Sequence, residues 1–317
     1  MVREAAMGQA IDRAAAALRA GKLVAFPTET VYGLGADATN AQAVAAVFAA
    51  KGRPRFNPLI VHVPDVAAAA ELAELSEHAE LLAAAFWPGA LTLVLPRRPG
   101  SEIAELVSAG LPSIAVRVPA HPIAVSLLRA TGRPIAAPSA NRSGHVSPTT
   151  AAHVEADLGN RIAIILDAGP TSLGLESTVV DVTGPSPVVL RLGGIARAAL
   201  AGVLGRPVPF AGGEPNRPAS PGMLARHYAP QTPLRLDARE VRTGEALLAF
   251  GAAVPRHAGV MLNLSRSGDL IEAAANLFAH LRHLDSLGAA GIAVMPIPQE
   301  GLGEAINDRL LRATRPA

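Results

Sequence analysis

The hydrophobic pattern of residues 23–63 predicts a strand, a helix and a second strand. The block consists of an apolar run at 23–26, a polar turn at 27–30, the glycines Gly33 and Gly35, a helical repeat from about Asn40 to Lys51 and an apolar run at 59–63. Apolar residues at helical spacing indicate a helix, and short apolar runs between turn residues indicate buried strands. A plain strand-helix-strand crossover would place Thr30 and Lys51 at opposite ends of the helix.

The same patterns continue through the chain. They predict helices at 66–75 and 76–86 and strands at 91–95, 114–118, 135–137, 162–166, 178–182 and 188–192. Residues 1–20 are typical of an amphipathic helix. Several strands are too close in sequence for helical crossovers, so we expect an α/β fold with a mixed sheet.

A change in composition predicts two domains. Residues 1–205 form the first α/β domain, 206–233 a linker rich in proline and glycine, and 234–317 a smaller α/β domain. The second domain is predicted to contain strands at 246–250, 260–264 and 291–296 and helices at about 268–287 and through Leu311. It is too short for a full doubly wound sheet, so we expect it to pack on the first domain.

The loop KGRPRFNP, which follows the first predicted helix, concentrates positive charge. It contains Lys51, Arg53, Arg55 and Asn57, with Pro54 and Pro58 between them. The prolines restrict the backbone, so the cations are preorganised and the loop predicts an anion site. Only two of the 28 basic residues are lysines, which favours a phosphate-binding role for Lys51. The alternative is that Lys51 only neutralises the helix C-terminus.

Composition narrows the classes of protein that are possible. Hydrophobic residues make up 50% of the chain and aromatic residues 3%, and there is no cysteine. The absence of cysteine excludes disulfides, thiolate metal sites and cysteine nucleophiles, and it suits a reducing cytoplasm. No apolar run is long enough to span a bilayer, so we expect a cytoplasmic protein that does not bind membranes. The sequence pI of about 9.5 permits an acidic partner.

Two further segments contain candidate binding residues. Strand alternation places Ser113 and Arg117 on one face, and a half-buried arginine needs a carboxylate partner from the protein or from a ligand. The segment PIAAPSANRSG is a strand that enters a loop with Ser139 and Asn141, a plausible phosphate or nucleobase loop. Ser147 and Pro148 are predicted to cap and begin the next helix.

Several single residues are ambiguous on sequence alone. His62 lies in an apolar strand, where a core histidine is commoner than a catalyst, and His280 and His283 share a helix face without further metal ligands. Ser177 and Arg191 are uninformative in isolation. Tyr228 lies in the linker without an obvious core to fill, which favours a ligand contact or a lid.

A dinucleotide site is a weaker alternative. The stretch from Gly33 to Ala38 satisfies G-x-G-x-x-[GA], and Arg53 follows at a distance that suits an NADP site. The glycines, however, come seven residues after Phe26, and the basic cluster precedes the second strand. There is no G-x-x-x-x-G-K-[ST], so the chain is not a P-loop protein.

Taken in order, the motifs resemble one family. PTETVYGLG, KGRPRFNPLIVHV, WPGALTLVL, SIAVRVP, APSANRSG, LESTVVD and VLRLGG resemble the YrdC-like threonylcarbamoyl-AMP synthases, and SPGMLARHYAP followed by a small α/β domain resembles their long, two-domain form. The resemblance implies a twisted mixed sheet flanked by helices, with a small Rossmann-like C-terminal domain.

The resemblance also implies an activity. ATP, L-threonine and bicarbonate would be joined into threonylcarbamoyl-adenylate with release of pyrophosphate, a nucleotidyltransferase reaction with Mg²⁺ on the triphosphate. A partner threonylcarbamoyl-transferase would then modify the tRNA adenosine beside the anticodon, and tRNA itself is a possible partner. Carbamates decompose in water, so we expect closure over the intermediate, with the linker and Tyr228 as the candidate lid.

The family's K-x-R and S-x-N signatures imply which residues bind each substrate. ATP would contact Lys51, Arg53, Asn57, Ser139, Asn141, Ser147, Arg191 and Tyr228, with Lys51 and Arg53 acting in catalysis. Threonine would contact Thr30, His62, Ser113, Arg117 and Ser177. Relatives often have a hydroxyl residue at the position of Ala137, so a side-chain contact is lost there. The competing hypothesis is a module that binds RNA or tRNA without catalysis.

Overall fold

The computed structural model describes residues 2–211, 228–256 and 259–315, with side chains from Ala6 onward. Its first part contains the strands β1 (Val24–Phe26), β2 (Gly33–Asp37), β3 (Ile60–His62), β4 (Leu91–Pro96), β5 (Ser113–Arg117), β6 (Ile135–Ala136), β7 (Ile164–Ile165), β8 (Thr178–Asp181) and β9 (Val188–Arg191). The helices of this part are α1 (Val2–Arg19), α2 (Ala41–Lys51), α3 (Val66–Leu72), α4 (Glu77–Phe86), α5 (Glu105–Ser108), α6 (Pro122–Thr131), α7 (Ala151–Leu158) and α8 (Arg197–Leu204).

These nine strands form one mixed sheet in the order β7-β1-β2-β6-β3-β5-β4-β8-β9. The pairs β1/β7, β3/β5 and β4/β8 are parallel, and the other five pairs are antiparallel. The predicted mixed α/β fold is therefore confirmed.

Strand β2 is the main departure from the predicted elements. The sequence analysis predicted a polar turn at 27–30 and assigned no element to Gly33 and Gly35, whereas Gly33–Asp37 pairs antiparallel with β1, with Gly33 opposite Phe26. A Cβ on Gly35 would lie 2.9 Å from both the Phe26 ring and Ile135, so these glycines make room for an aromatic ring. The dinucleotide alternative is wrong, because its glycines lie inside a strand.

The β1–β2 hairpin also changes where α2 ends. Because β2 reverses the chain before α2 begins, the helix runs back toward the turn at 27–32. Lys51, its last residue, donates to the carbonyl of Ser139, and Ser139 forms a β-bridge with Gly33 at the start of β2. The plain strand-helix-strand crossover, which would place Thr30 and Lys51 at opposite ends of the helix, therefore does not apply.

The two faces of the large sheet are packed differently. On one face, Leu34, Val61 and Val116 pack in a core with residues of α2 and α4. On the other face, Phe26 and Ile135 pack with α1 and α6. Further along this second face the strands bear the polar residues described below.

The C-terminal part contains a second sheet of four parallel strands. Its elements are β10 (Leu234–Arg235), β11 (Glu245–Ala249), β12 (Met261–Asn263), β13 (Gly291–Val294), α9 (Leu270–Ser286) and α10 (Gly303–Ala313), with the strand order β10-β13-β11-β12. The predicted strands and helices of this part are confirmed, and β10 is an addition. The predicted boundaries at 205/206 and 233/234 stay predictions.

The second part packs on the first, as expected from its size. Gly174 has a left-handed φ of 66°, and a Cβ there would lie 2.5 Å from the backbone oxygens of Ala274 and Ala275 in α9. Arg282 pairs with Asp157 at 2.6 Å across the same boundary. None of the described helices is long and apolar enough to cross a membrane.

Candidate active site

A cleft on the second face of the large sheet collects many of the predicted site residues. Of the predicted ligands, Thr30, Arg53, His62, Arg117, Ser139, Ser177 and Arg191 line it. They come from the turn after β1, the basic loop, β3, β5, the loop after β6, the residue before β8 and the end of β9. Ser139 follows the carboxyl end of β6, as the sequence suggested for its loop. His62, Arg117 and Arg191 are the last residues of β3, β5 and β9.

Arg117 is held in the cleft wall by three protein oxygens. Its Nε donates to Gly89 O at 3.1 Å, its Nη1 to Thr30 Oγ1 at 2.9 Å and its Nη2 to Glu29 Oε1 at 2.5 Å. A guanidinium has five N–H groups, so Nη1 and Nη2 each keep one N–H with no acceptor in the described part of the chain. Arg117 thus has a protein carboxylate as partner and still offers a two-pronged donor to a ligand.

Glu29 is a site residue that the sequence analysis missed. Its second oxygen accepts from the amide of Ala120 at 3.1 Å. Burial would raise the pKa of Glu29, but the Arg117 guanidinium outweighs this and holds the pKa below its usual value. The sequence feature that could have identified Glu29 is its position in the polar turn, directly before Thr30.

His62 is neutral in this environment. Its Nδ1 lies 3.2 Å from Ile60 O, and its ring packs edge-on against Phe26 at 6.0 Å between centroids. Burial, and then the nearby Arg117 charge, lower the pKa of His62 to about 3. It can act as an uncharged hydrogen-bonding group on the cleft floor.

Lys51 joins two loops. Its Nζ donates to Ser139 O at 2.5 Å, to the carbonyl of Asn141 and to Asn141 Oδ1 at 3.3 Å. Burial, and then the Arg53 charge, hold the pKa of Lys51 well below its usual value. Lys51 therefore does more than neutralise a helix terminus: it fixes the S-x-N loop against the basic loop.

The remainder of these two loops is held by local hydrogen bonds. Arg53 donates to Asn57 O at 3.2 Å and to Pro58 O at 2.8 Å, and burial with the nearby Arg191 lowers the pKa of Arg53 to about 9. Ser139 Oγ donates to Asn141 Oδ1 at 2.5 Å. The side-chain amide of Asn57 is buried without a partner in the described part of the chain.

Ser177 and Arg191 form the far wall. Arg191 Nη2 donates to Ser177 O at 2.8 Å and to Ser177 Oγ at 3.0 Å, and Ser177 Oγ lies 2.7 Å from Thr92 Oγ1. Burial is the main cause that lowers the pKa of Arg191. The wall is thus cationic and rigid.

Two interpretations of single residues are corrected. Ser147 does not cap the next helix, because α7 begins at Ala151 with Thr150 as its N-cap, and Ser147 Oγ donates instead to Glu176 Oε1 at 2.5 Å. Tyr228 does have a core to fill: it is fully buried and stacks on Phe278 with ring centroids 5.7 Å apart.

Among the other predicted residues, Ser113 lies outside the cleft lining and Ala137 lies within it. Ser113 is half-buried at the start of β5. Ala137 lines the cleft and offers no side-chain hydrogen bond.

In the described residues no group of three or more His, Cys, Asp or Glu could hold a metal ion. The lid hypothesis falls mainly on residues 212–227, which lie outside the described residues.

Comparison with known proteins covers both parts of the chain. A Sua5–YciO–YrdC family model, described as "Telomere recombination", matches residues 16–193, and a model described as "Threonylcarbamoyl-AMP synthase, C-terminal domain" matches residues 195–314. A threonylcarbamoyl-AMP synthase of Bacillus subtilis is 43% identical over 96% of this chain and 92% of its own length. A putative threonylcarbamoyl-AMP synthase of Mycobacterium tuberculosis is 43% identical over 62% of this chain and 89% of its own length.

A crystal structure of the P. abyssi Sua5 protein complexed with L-threonine is similar in fold, with a TM-score of 0.89 and 40% identity over 96% of this chain and 94% of that one. The nine-stranded mixed sheet joined to a small parallel sheet is thus the architecture of a two-domain, YrdC-like protein. The chain belongs to the threonylcarbamoyl-AMP synthase family, which is a family of enzymes.

Proposed function

We propose that this chain joins L-threonine, bicarbonate and ATP into threonylcarbamoyl-AMP and releases pyrophosphate, and so acts as a nucleotidyltransferase. The observation that supports this most is the meeting of two anion-binding elements in one cleft. Arg117 presents two N–H groups on one side, and the basic loop with Arg53 stands beside the Ser139 loop on the other. One element suits an amino-acid carboxylate and the other a phosphate chain.

The position of Arg117 indicates where threonine would bind in the cleft. A planar guanidinium can bind a carboxylate through two parallel hydrogen bonds, and Nη1 and Nη2 of Arg117 each keep one N–H with no acceptor among the described residues. Thr30, His62 and Ser177 surround this point and would contact the rest of the amino acid. His62 is uncharged, so it does not repel the ammonium group of the substrate.

The nucleotide side would be formed by the two loops that Lys51 joins. Ser139 and Arg53 line the cleft, and Arg191 stands opposite them. The roles assigned to Asn57, Asn141, Ser147 and Tyr228 stay predictions. Mg²⁺ would enter on the triphosphate, where it would offset phosphate charge, and the protein would hold the nucleotide through these cationic and hydroxyl groups.

The reaction needs positioning more than acid–base chemistry. The carbamate formed from bicarbonate and the threonine amine is already an anionic nucleophile, and its oxygen would attack the α-phosphate while pyrophosphate leaves. Fixed cations around the phosphates stabilise the charge of the transition state without reorganising. Arg53 and Arg191 are buried and hydrogen-bonded to protein oxygens, which suits that role.

The product is a mixed anhydride of a carbamate and AMP, so its consumer must be a threonylcarbamoyl transferase. We propose that a partner enzyme moves the group to the tRNA adenosine beside the anticodon. The adenylate must reach that enzyme before it hydrolyses.

Mass spectrometry of the product tests the proposal. The protein would be incubated with L-threonine, bicarbonate, ATP and Mg²⁺, and the expected result is threonylcarbamoyl-AMP with one pyrophosphate per product. Omission of threonine or bicarbonate should abolish both signals. Arg53→Ala should lower kcat/KM by about 10²–10³-fold if the guanidinium meets developing phosphate charge. Tight RNA binding without pyrophosphate release would refute the enzyme and favour the RNA-binding alternative.

A further inference from the structure

One cation from the C-terminal part reaches the wall of the cleft. Arg309 lies in α10 and has no exposed surface. Among the described residues from 228 onward it is the one buried Lys or Arg, and it points away from its own sheet toward the first part of the chain.

The contacts of Arg309 cross the domain boundary. Its Nε donates to Glu176 Oε2 at 3.0 Å and its Nη2 to Leu192 O at 2.5 Å. Its Nη1 donates to the neighbouring Asp308 at 2.7 Å, and its guanidinium carbon lies 4.7 Å from the centre of the Tyr228 ring. Burial works to lower the pKa of Arg309, but the Tyr228, Glu176 and Asp308 side chains outweigh that effect and raise it.

Glu176, the partner of Arg309, lines the cleft. It is the one acidic residue among the described residues of the lining, and it shares the wall with Arg191. A carboxylate without a counter-charge in a poorly solvated site repels anions and costs several kcal/mol to bury. Its other oxygen accepts from Ser147, so both oxygens are held.

We propose that Arg309 is a positioning residue of the active site, which cancels the negative charge of Glu176 in the cleft wall and fixes that carboxylate and the Ser147 hydroxyl for an incoming nucleoside triphosphate. The inference rests on the proposed function in that its ligand is ATP. It gives the C-terminal part a role in the reaction: Arg309 supplies the guanidinium that forms an ion pair with Glu176.

A second ion pair across the same boundary provides a matched control. Arg197 of α8 binds Glu304 of α10 through two hydrogen bonds of 2.8 and 2.5 Å. The two side chains are 38% and 23% exposed, and neither lines the cleft. Arg197→Met therefore removes an ion pair between the same two parts without changing the charge of the cleft.

The experiment compares ATP binding by calorimetry in wild type, Arg309→Met, Glu176→Gln, the double variant Arg309→Met/Glu176→Gln, and Arg197→Met. We expect Arg309→Met to weaken ATP binding at least tenfold and the double variant to bind within about threefold of Glu176→Gln. Arg197→Met should bind within twofold of wild type. Arg309→Lys keeps the positive charge but loses the planar guanidinium with its several N–H donors. It should bind ATP better than Arg309→Met.

Two results would overturn the inference. One is an Arg309→Met variant that binds ATP as well as Arg197→Met. The other is a double variant that binds at least tenfold more weakly than Glu176→Gln, because the role would then be structural and not one of charge. If Arg309→Met is too unstable to purify, the double variant leaves no unpaired buried charge and the second criterion decides.

Direct binding also separates this inference from the proposed function. Wild type that binds ATP but forms no adenylate would refute the proposed reaction and leave the role of Arg309 to be decided by the variants. Wild type that does not bind ATP would overturn both.

Discussion

The two sheets of this protein differ in how many cationic side chains they bury. Among the described residues, the large mixed sheet and its loops bury four lysine or arginine side chains, Lys51, Arg53, Arg117 and Arg191. The described part of the small parallel sheet and its helices buries one, Arg309, and that side chain is directed at the large sheet. The described interior of the small sheet is otherwise mostly apolar, formed by residues such as Leu247, Leu277 and Phe278.

This difference indicates that the large sheet forms the ligand site and that the interior of the small sheet mainly contributes stability. Burying a charge costs several kcal/mol unless partners compensate, and the lowered pKa values of Lys51, Arg53 and Arg191 reflect that cost. A region that keeps such charges in and beside one cleft is organised around an anionic ligand. The small sheet has no comparable cluster in the described part of the chain, and its interior is that of a stabilising domain.

Removal of Arg117 should have the largest effect. We expect Arg117→Met to lower the rate of threonylcarbamoyl-AMP formation by about 10²–10³-fold, because the threonine carboxylate loses its two-pronged donor. The variant should also lose about 3 kcal/mol of unfolding free energy, since Glu29 is left buried without its counter-charge. Product formation and urea denaturation measure the two effects.

The double variant Glu29→Gln/Arg117→Met is the control for that result. It removes the stranded carboxylate, so most of the lost stability should return while the rate stays low. Recovery of the rate in the double variant would contradict the assignment of Arg117 to threonine.

A methyl group at Gly174 tests whether the two parts must stay in contact. Gly174→Ala should destabilise the protein by about 3 kcal/mol, because the new Cβ would meet the backbone of α9 and a left-handed φ disfavours alanine. Gly169 has the same left-handed φ, 75°, but open space around it. Gly169→Ala should therefore cost only about 1 kcal/mol, and equal thermal shifts in the two variants would refute a tight contact.

The stability of the protein should depend on pH through His62. With a pKa of about 3 in the native state and the ordinary value near 6.5 in the unfolded state, its contribution is complete above pH 6.5 and is lost as the pH falls toward 3. One proton corresponds to about 1.4 kcal/mol per pH unit. Between pH 7 and pH 5, wild type should lose about 2 kcal/mol more unfolding free energy than His62→Gln.

His280 of the small domain provides the comparison. Burial also lowers the pKa of His280, but the residue is only partly buried, so His280→Gln should change the acid sensitivity less than His62→Gln. The reverse order would contradict the view that desolvation is strongest at the cleft.

The smallest effect is expected at Asn57. Its buried amide makes no hydrogen bond in the described part of the chain, so Asn57→Leu should leave stability unchanged or raise it by about 1 kcal/mol. The ATP KM should rise if the amide contacts nucleotide. Asn141, whose amide donates to Arg142 O and His145 O, is the control: Asn141→Leu should lose about 2 kcal/mol, and a similar loss at Asn57 would show that its amide has a partner.

Local signals in the sequence predicted much of the fold. Helix α2 begins after Asn40, whose side chain accepts from two backbone amides, and ends at Lys51, with Gly52 as its C-cap at a left-handed φ of 64°. Both signals lie within the helix and its flanks, so the sequence contains all the information needed. The K-x-R and S-x-N loops were likewise recognised from short motifs, and Lys51 joins them in the structure.

The errors concern residues whose partners are distant in sequence. Ser147 was expected to cap a helix, but its partner is Glu176, 29 positions away. Strand β2 was missed because its glycines make room for the Phe26 ring on the other strand of a hairpin. The sequence around Gly33 and Gly35 does not indicate that contact. The partners of Tyr228 are Phe278 and Arg309, which no pattern around Tyr228 indicates.

The pairing of Arg309 with Glu176 has an evolutionary consequence. In any homologue that lacks α10, a glutamate at the position of Glu176 would have no guanidinium from that helix. Such chains should have replaced the glutamate with an uncharged residue or recruited a cation from another segment. The acid and the helix should therefore be gained and lost together across species.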